Sequence, residues 1–377
     1  MTMRVNSQIS FKGYDARPIK GFLMSTNCRG IADEMQQIGQ KEGFDIFSFI
    51  DDEQGGRCKK AVPPHTKGFS WAWAQDYWTI ANKKLFTREP DCIADSIKDF
   101  FNLNFDKTQT KVRKDFLKAN KDSDFTDMFL KASHISGGNL FIVKDKDSDI
   151  ALIGEDDLKK YSVENIKKMY GVSKVIPLPQ VDYHLDLFIR PLDNKRVLLS
   201  DDNMTLKLLD EISNDLKNYP AAKCMTELFK NNFKSDSAKN VYFPKTEEVE
   251  KILKDNGFEV IKVPGSAYYV LESEFKTTHD IHYDFNFMNA NVFVNPDGEL
   301  VYITNKSDMD EKLELTSKIK KQIGGGFEHY FKKAISPYIK PEHVYFVDGE
   351  DNFVSKKLLE KFFGGIHCAC SEIPAEI

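Results

Sequence analysis

The chain of 377 residues has no apolar run approaching the ~18 residues that a membrane span requires. Residues 1–15 also lack the apolar stretch of a signal peptide, so the expectation is a cytoplasmic protein with no membrane partner. A basic excess is missing as well. The 58 acidic and 53 basic side chains leave a formal net charge of −5, which offers no electrostatic footprint for nucleic acid. Cysteines are few and scattered (Cys28, Cys58, Cys92, Cys224, Cys368, Cys370), unlike the dense framework of a small secreted domain, and are read as reduced thiols. His367, Cys368 and Cys370 lie together, but no second Cys/His cluster at ligand spacing completes a set of four, so no metal is expected. The pairs Gly137-Gly138 and Gly364-Gly365 are not followed by Lys-Ser/Thr, which excludes a phosphate loop.

What is present is an ordinary globular composition, 41% hydrophobic and 29% charged, and a recurring order of elements without a recurring sequence. Three times in the middle of the chain a β-hairpin is followed by an amphipathic helix and a short strand. The first pass has strands at 140–143 and 150–153, a helix with Val163, Ile166, Met169 and Tyr170 on one face and Gly171 as its stop, and a strand at 175–176. The second runs from 187–190 and 197–199 through a helix carrying Met204, Leu208, Leu209 and Ile212 and another capped by Thr246, to a strand at 258–263. The third has strands at 292–294 and 300–303 around the turn Asn295-Pro296-Asp297-Gly298, helices near 313–323 and 328–335, and a strand at 344–347.

Two partial copies complete the count. One has a hairpin at 77–81 and 84–86 and a helix at 93–101; the other is split, with 365–370 near the C-terminus pairing with 21–25, then a helix at 31–40 and a strand at 44–50. The charged stretches near 102–131 and 217–245 read as insertions. Five ββαβ units closed by joining the chain ends predict an α/β fold, a five-bladed α/β-propeller occupying residues 1–377 as one domain. An unrelated α+β domain is the alternative.

On superposed units, the residues at or before each first strand face the central axis. They are Asp76, Ser136 to Asn139, His184 with Asp186, Asn286 to Asn291, and Cys368. Such a set suits attack on a guanidinium. Carboxylates fix the planar cation through charge-assisted hydrogen bonds, the role expected of Asp76 and Asp186. A cysteine thiolate, Cys368, attacks the carbon. The imidazole of His184 protonates departing ammonia and then activates water. Placed on a strand, His184 and Asp186 share a face, whereas His367 points away from Cys368 and is assigned to packing or hydrogen bonding. Cys370 is read as structural, and Trp73 is the tryptophan expected in the pocket.

Three motifs resemble those of agmatine deiminases, members of the pentein superfamily of guanidine-modifying enzymes. Trp73-Ala74-Gln75-Asp76-Tyr77 resembles Trp-x-Arg-Asp, and His184-Leu185-Asp186-Leu187-Phe188-Ile189-Arg190 resembles His-x-Asp-x-x-Ala-Arg. The tail from Gly364 to Pro374 is similar to Gly-Gly-x-His-Cys-x-Thr-Gln-Gln-x-Pro. The resemblance implies the pentein fold, deimination of agmatine or arginine to a ureido product, and no metal or organic cofactor. It makes Cys368, His184, Asp186 and Asp76 catalytic and Trp73, Ser136, Gly137, Gly138, Asn139 and Arg190 substrate-binding. Ser136 stands where the family has a glutamate, Gln75 where it has arginine, and Trp78-Thr79 where it has Gly-Pro. The Gln75-Asp76 pair and the absence of that glutamate look more like peptidyl-arginine deiminases, which hold the guanidinium with two aspartates, so a small guanidine and a peptide arginine both remain as substrate classes. Amidino transfer and a pentein that binds without catalysis are the other readings, and no oligomeric state follows.

Overall fold

The computed structural model describes residues 17–25, 29–50, 57–60, 74–76, 78–87, 92–119, 135, 137–144, 149–181, 184–215, 223, 227, 230, 243–265, 283–284, 286–309, 317–348 and 365–376. Trp73 and Ser136 lie outside them, as does most of 217–245; of Asp76 only the backbone is described.

The local logic is clearest in the middle of the chain. Leu140–Lys144 and Asp149–Gly154 pair antiparallel, and the latter pairs parallel with Lys174–Leu178. A parallel neighbour needs a crossover, supplied here by the helix Val163–Tyr170. Ser162 caps that helix by accepting from the Asn165 amide, and Gly171 ends it at φ 70°, a conformation that costs glycine nothing.

Counted along the chain this is sheet III, and its plan recurs. Sheet II consists of Trp78–Ala81, Lys84–Thr87 and Asn104–Phe105; sheet IV of Ile189–Pro191, Arg196–Ser200 and Glu259–Val263; sheet V of Asn291–Val294, Leu300–Asn305 and Val344–Val347. Sheet I takes its first strand, Cys370–Pro374, from the C-terminal end of the chain. That strand pairs antiparallel with Ile19–Ser25, which pairs parallel with Asp45–Ile50 across the helix Arg29–Glu42; Arg57–Lys60 adds a fourth strand. A further two-stranded pairing joins Tyr283–Asp284 to Asp308–Met309.

Several details depart from the sequence expectation. Residues 366–369 form a helical turn, so the closing strand begins at Cys370 and not at 365. The turn is capped from afar: the Ile366 amide donates to Asn305 Oδ1, and those of His367 and Cys368 to Asn289 Oδ1. His184 and Asp186 also lie off a strand, at the short 3₁₀ turn Leu185–Leu187, where Asn139 Oδ1 accepts from the Leu185 amide. Asn104–Phe105, inside a stretch read as insertion, is the third strand of sheet II, and the helix Lys107–Ala119 follows it. One helix, Ser317–Ile335, replaces the two expected and runs through three consecutive glycines. The helix assigned a Thr246 cap begins earlier, as Phe243–Asp255.

The cores explain why the strands read as nearly continuous apolar runs. Strand side chains alternate between faces, and here both faces are covered. In sheet III, Leu140, Ala151 and Ile153 pack with Ala81 and Phe86 of sheet II, whereas Phe141, Val143 and Leu152 pack with Ile189, Val197 and Leu199 of sheet IV. Leu198 and Ile261 of sheet IV meet Val292, Val294 and Tyr302 of sheet V. Phe293, Val301 and Ile303 of sheet V meet Phe22, Met24 and Ile46 of sheet I, and Leu23, Phe47 and Ile373 of sheet I meet Trp78, Ile80 and Leu85 of sheet II. Each core therefore joins successive sheets, and one of them joins sheet V back to sheet I. Among the described residues no helix is long and apolar enough to cross a membrane.

The strand Cys370–Pro374 carries a share of this packing out of proportion to its length. Ile373 is fully buried within the core between sheets I and II. Ile373→Ala is expected to destabilise the protein by about 2–5 kcal/mol in urea unfolding, the cost of a large-to-small core substitution. A loss below about 0.5 kcal/mol would show that this strand does not hold the two sheets together.

Candidate active site

Turns precede the first strands of sheets I to IV, and these turns touch one another. Ala74–Asp76 leads into sheet II, Gly137–Asn139 into sheet III, Leu185–Leu187 into sheet IV and Ile366–Ala369 into the closing strand of sheet I. Asn286 to Ala290 leads into sheet V.

At their meeting point lies the Asp186 carboxylate, with no exposed surface. Its Oδ2 accepts from His367 Nδ1 at 2.8 Å and from Asn289 Nδ2 at 2.9 Å, and the Cys368 thiol donates to it at 3.5 Å. Asn289 Nδ2 also lies 3.1 Å from Cys368 Sγ, where its N–H can support a sulfur anion. His184 Nδ1 is 4.0 Å from Asp186 Oδ1. One ligand-type atom from each of His184, Asp186 and Cys368 falls within 4.8 Å of the others, and all three residues are buried. The thiol, the imidazole and the carboxylate thus stand close together and away from bulk water. A nitrogen, an oxygen and a sulfur at this spacing could equally serve as three zinc ligands.

The hydrogen-bond chain behind the carboxylate has a single direction. Gln75 Nε2 lies 2.7 Å from His367 Nε2, and an amide NH₂ can only donate. Nε2 of His367 therefore accepts, and its Nδ1 carries the proton given to Asp186. His367 is held neutral: burial above all, then the nearby charges of Arg190 and His184, push its pKa well below the usual imidazole value. Phe141 stacks on its ring, with centroids 5.8 Å apart.

Gly138 shows how tightly the turns converge. A Cβ there would come within 2.5 Å of His184 Nδ1 and 3.0 Å of Asp186 Oδ1, so the backbone approaches in a way only glycine permits.

No family profile matches this sequence and no curated protein is similar to it. Among solved structures, agmatine deiminase of C. jejuni superposes with a TM-score of 0.55 at 13% identity, over 96% of this chain and 95% of that one. The chain has the agmatine deiminase fold. Lesser similarity connects it to a protein provisionally assigned as a peptidyl-arginine deiminase (TM-score 0.48, 13% identity, 96% and 97% covered). The N-terminal domain of a cyanobacterial arginine dihydrolase gives a TM-score of 0.34 at 11% identity, with 90% and 83% covered.

Within the agmatine deiminase fold, the residues expected from sequence separate into groups. Cys368, His184, Asp186 and Gly138 come together at the turns. Gly137 packs on Gln75, and Asn139 secures the turn before sheet IV through Leu185 and Gln180. Arg190 lies farther along, its guanidinium 5.1 Å from the Phe141 ring centroid and 3.5 Å from Glu372 Oε1. It lines a cavity with His367 and Gln75 whose lining does not include Cys368, His184 or Asp186. Asp76 is placed by its backbone in the turn before sheet II. The sequence places Asn289 at the axis, within Asn286 to Asn291, but gives it no role. Its only signal was the asparagine-rich run at 286–291, in the same pre-strand position as the other motifs.

A neutral buried imidazole couples folding to pH. The unfolded chain, with histidine titrating near pH 6.5, takes up the proton that folded His367 refuses. The stability contributed is therefore present above about pH 6.5 and lost as pH falls below it, with a slope of at most about 1.4 kcal/mol per pH unit for one proton. His367→Gln should show a shallower fall in denaturation free energy between about pH 6.5 and 5 than the native protein. Equal slopes would show that His367 takes up its proton in the folded state.

Proposed function

We propose that this protein is a hydrolytic deiminase of a guanidine substrate, with Cys368 as nucleophile, and that its five sheets are the blades of a closed propeller around the turns that carry the site. The observation that supports the chemistry best is the buried cluster of Cys368, His184 and Asp186, drawn from two turns far apart in sequence. The cyclic sharing of cores from sheet I through sheet V and back supports the propeller.

In the proposed reaction, the guanidinium binds against Asp186, with Asp76 as the second carboxylate. The cation's charge, arriving beside the sulfur, favours the thiolate. Sulfur bonds to the guanidinium carbon, the bond to one terminal nitrogen breaks, and that nitrogen leaves as ammonia with a proton from His184. The imidazole then takes a proton from water, which attacks the same carbon. The carbon–sulfur bond breaks, giving the ureido product and the free thiol. Asn289 donates to Asp186 and to the sulfur, so it holds the two at fixed separation. Agmatine or arginine are the substrates that fit this reading, with arginine in peptides as the larger alternative.

Ammonia release over a panel of guanidines tests the proposal. Cys368→Ser and His184→Ala should abolish release while leaving the fold intact by circular dichroism. Asp186→Asn forfeits charge-assisted hydrogen bonds of about 1.5–3 kcal/mol each, so kcat/KM should fall at least about tenfold. A chelator should leave the rate unchanged. Activity lost to chelation and restored by zinc would replace covalent catalysis with metal hydrolysis at the same three side chains. Near-normal release by His184→Ala would remove that residue from its role.

A further inference from the structure

The polar cavity beside His367, of about 80 Å³, is lined in part by Arg17, Gln75, Phe141, Arg190 and Glu372. Its donors are not met. Arg190 is 2% exposed, yet among the described residues its Nε and Nη1 have no hydrogen-bond partner and its Nη2 reaches only Glu372, at 3.5 Å. A guanidinium carries five N–H donors, and a buried one is ordinarily paired or fully hydrogen-bonded.

The charges around the cavity do not balance either. Arg17 and Arg190 both act on Glu372, a partly buried carboxyl that desolvation pushes up and the two arginines draw back down. His367 is neutral, and Asp186 already accepts from His367, Asn289 and Cys368. Among the described residues, two guanidiniums face one carboxylate. Water could fill the space and meet the N–H groups, but water supplies no charge, and an unbalanced cation in a buried setting is costly.

We propose that this cavity binds one small monovalent anion, a halide or a short carboxylate such as formate, on the Arg190 guanidinium with Arg17 at its side. The planar, weakly hydrated guanidinium suits such a ligand, and Nε and Nη1 lie on different edges, leaving donors for both the anion and a companion water. The site is distinct from that of the Cys368 sulfur and takes a ligand of opposite charge to a guanidinium. Anion binding neutralises the cation that faces His367 and so stabilises the folded protein by mass action.

Thermal unfolding of the full-length protein at fixed ionic strength tests this, with sodium gluconate exchanged stepwise for sodium chloride, bromide or formate. The small anions should raise Tm by a few degrees in a saturable manner, whereas gluconate, too large for the cavity, should not. The saturable part should vanish in Arg190→Gln and weaken in Arg17→Gln, which tests the site even if the first variant does not fold. Crystals grown in bromide should show an anomalous peak beside Arg190. Equal responses to every anion, a saturable response unchanged in Arg17→Gln, or a bromide crystal with only water in the cavity would each overturn the proposal.

Discussion

A carboxylate removed from water must be surrounded by donors, and the arrangement of this molecule follows from how Asp186 meets that requirement. Its own turn precedes sheet IV, and its donors come from two other places: Asn289 before sheet V, and His367 with Cys368 before the closing strand of sheet I. Gln75, before sheet II, fixes the tautomer of His367, and Gly138, before sheet III, fits against Asp186 and His184. All five pre-strand segments thus depend on one buried charge. The bonds that position Cys368 also fix the turn that leads into the closing strand of sheet I, so the geometry of the proposed site and the pairing of that strand are mechanically one feature.

The two sides of this arrangement differ in sign. The Cys368 side presents the Asp186 carboxylate, which suits an incoming cation; the Arg190 side presents two guanidiniums, only partly offset by Glu372. Between them stands His367, an imidazole kept neutral by burial and by the charges of Arg190 and His184. A neutral, hydrogen-bonded ring separates the two fields without adding a charge to either. That gives the histidine beside Cys368 a positioning part: it donates to the Asp186 carboxylate through Nδ1 and accepts from Gln75 through Nε2.

Much of this was legible in the sequence, for reasons that are physical. Sheets covered on both faces require apolar runs on every strand, so the hairpins at 140–154, 189–200 and 291–305 stood out, and a glycine with left-handed backbone at 171 ended its helix where expected. The His-x-Asp and Gly-Gly-x-His-Cys motifs indicated which residues meet. What was not legible depends on partners remote in sequence. The turn at 366–369 replaces a strand because asparagines 61 and 78 residues away cap its amides. Asn104–Phe105 is a strand of two residues, neither of them fully buried, with no apolar pattern to mark it. Asn289 carries no titratable group, and only the folded structure reveals that it serves the carboxylate and the sulfur together.

The central claim, that Cys368 attacks a guanidinium carbon positioned by Asp186, is tested most directly by acid-quenching the protein during turnover and weighing its peptides. The account predicts an adduct on the peptide containing Cys368 whose mass equals the substrate less ammonia, absent from Cys368→Ser and reduced in Asp186→Asn. An adduct carrying only the amidino group would instead indicate amidino transfer. Ammonia release with the label on another cysteine, or with no covalent adduct under conditions that trap one on a thiol, would contradict the account.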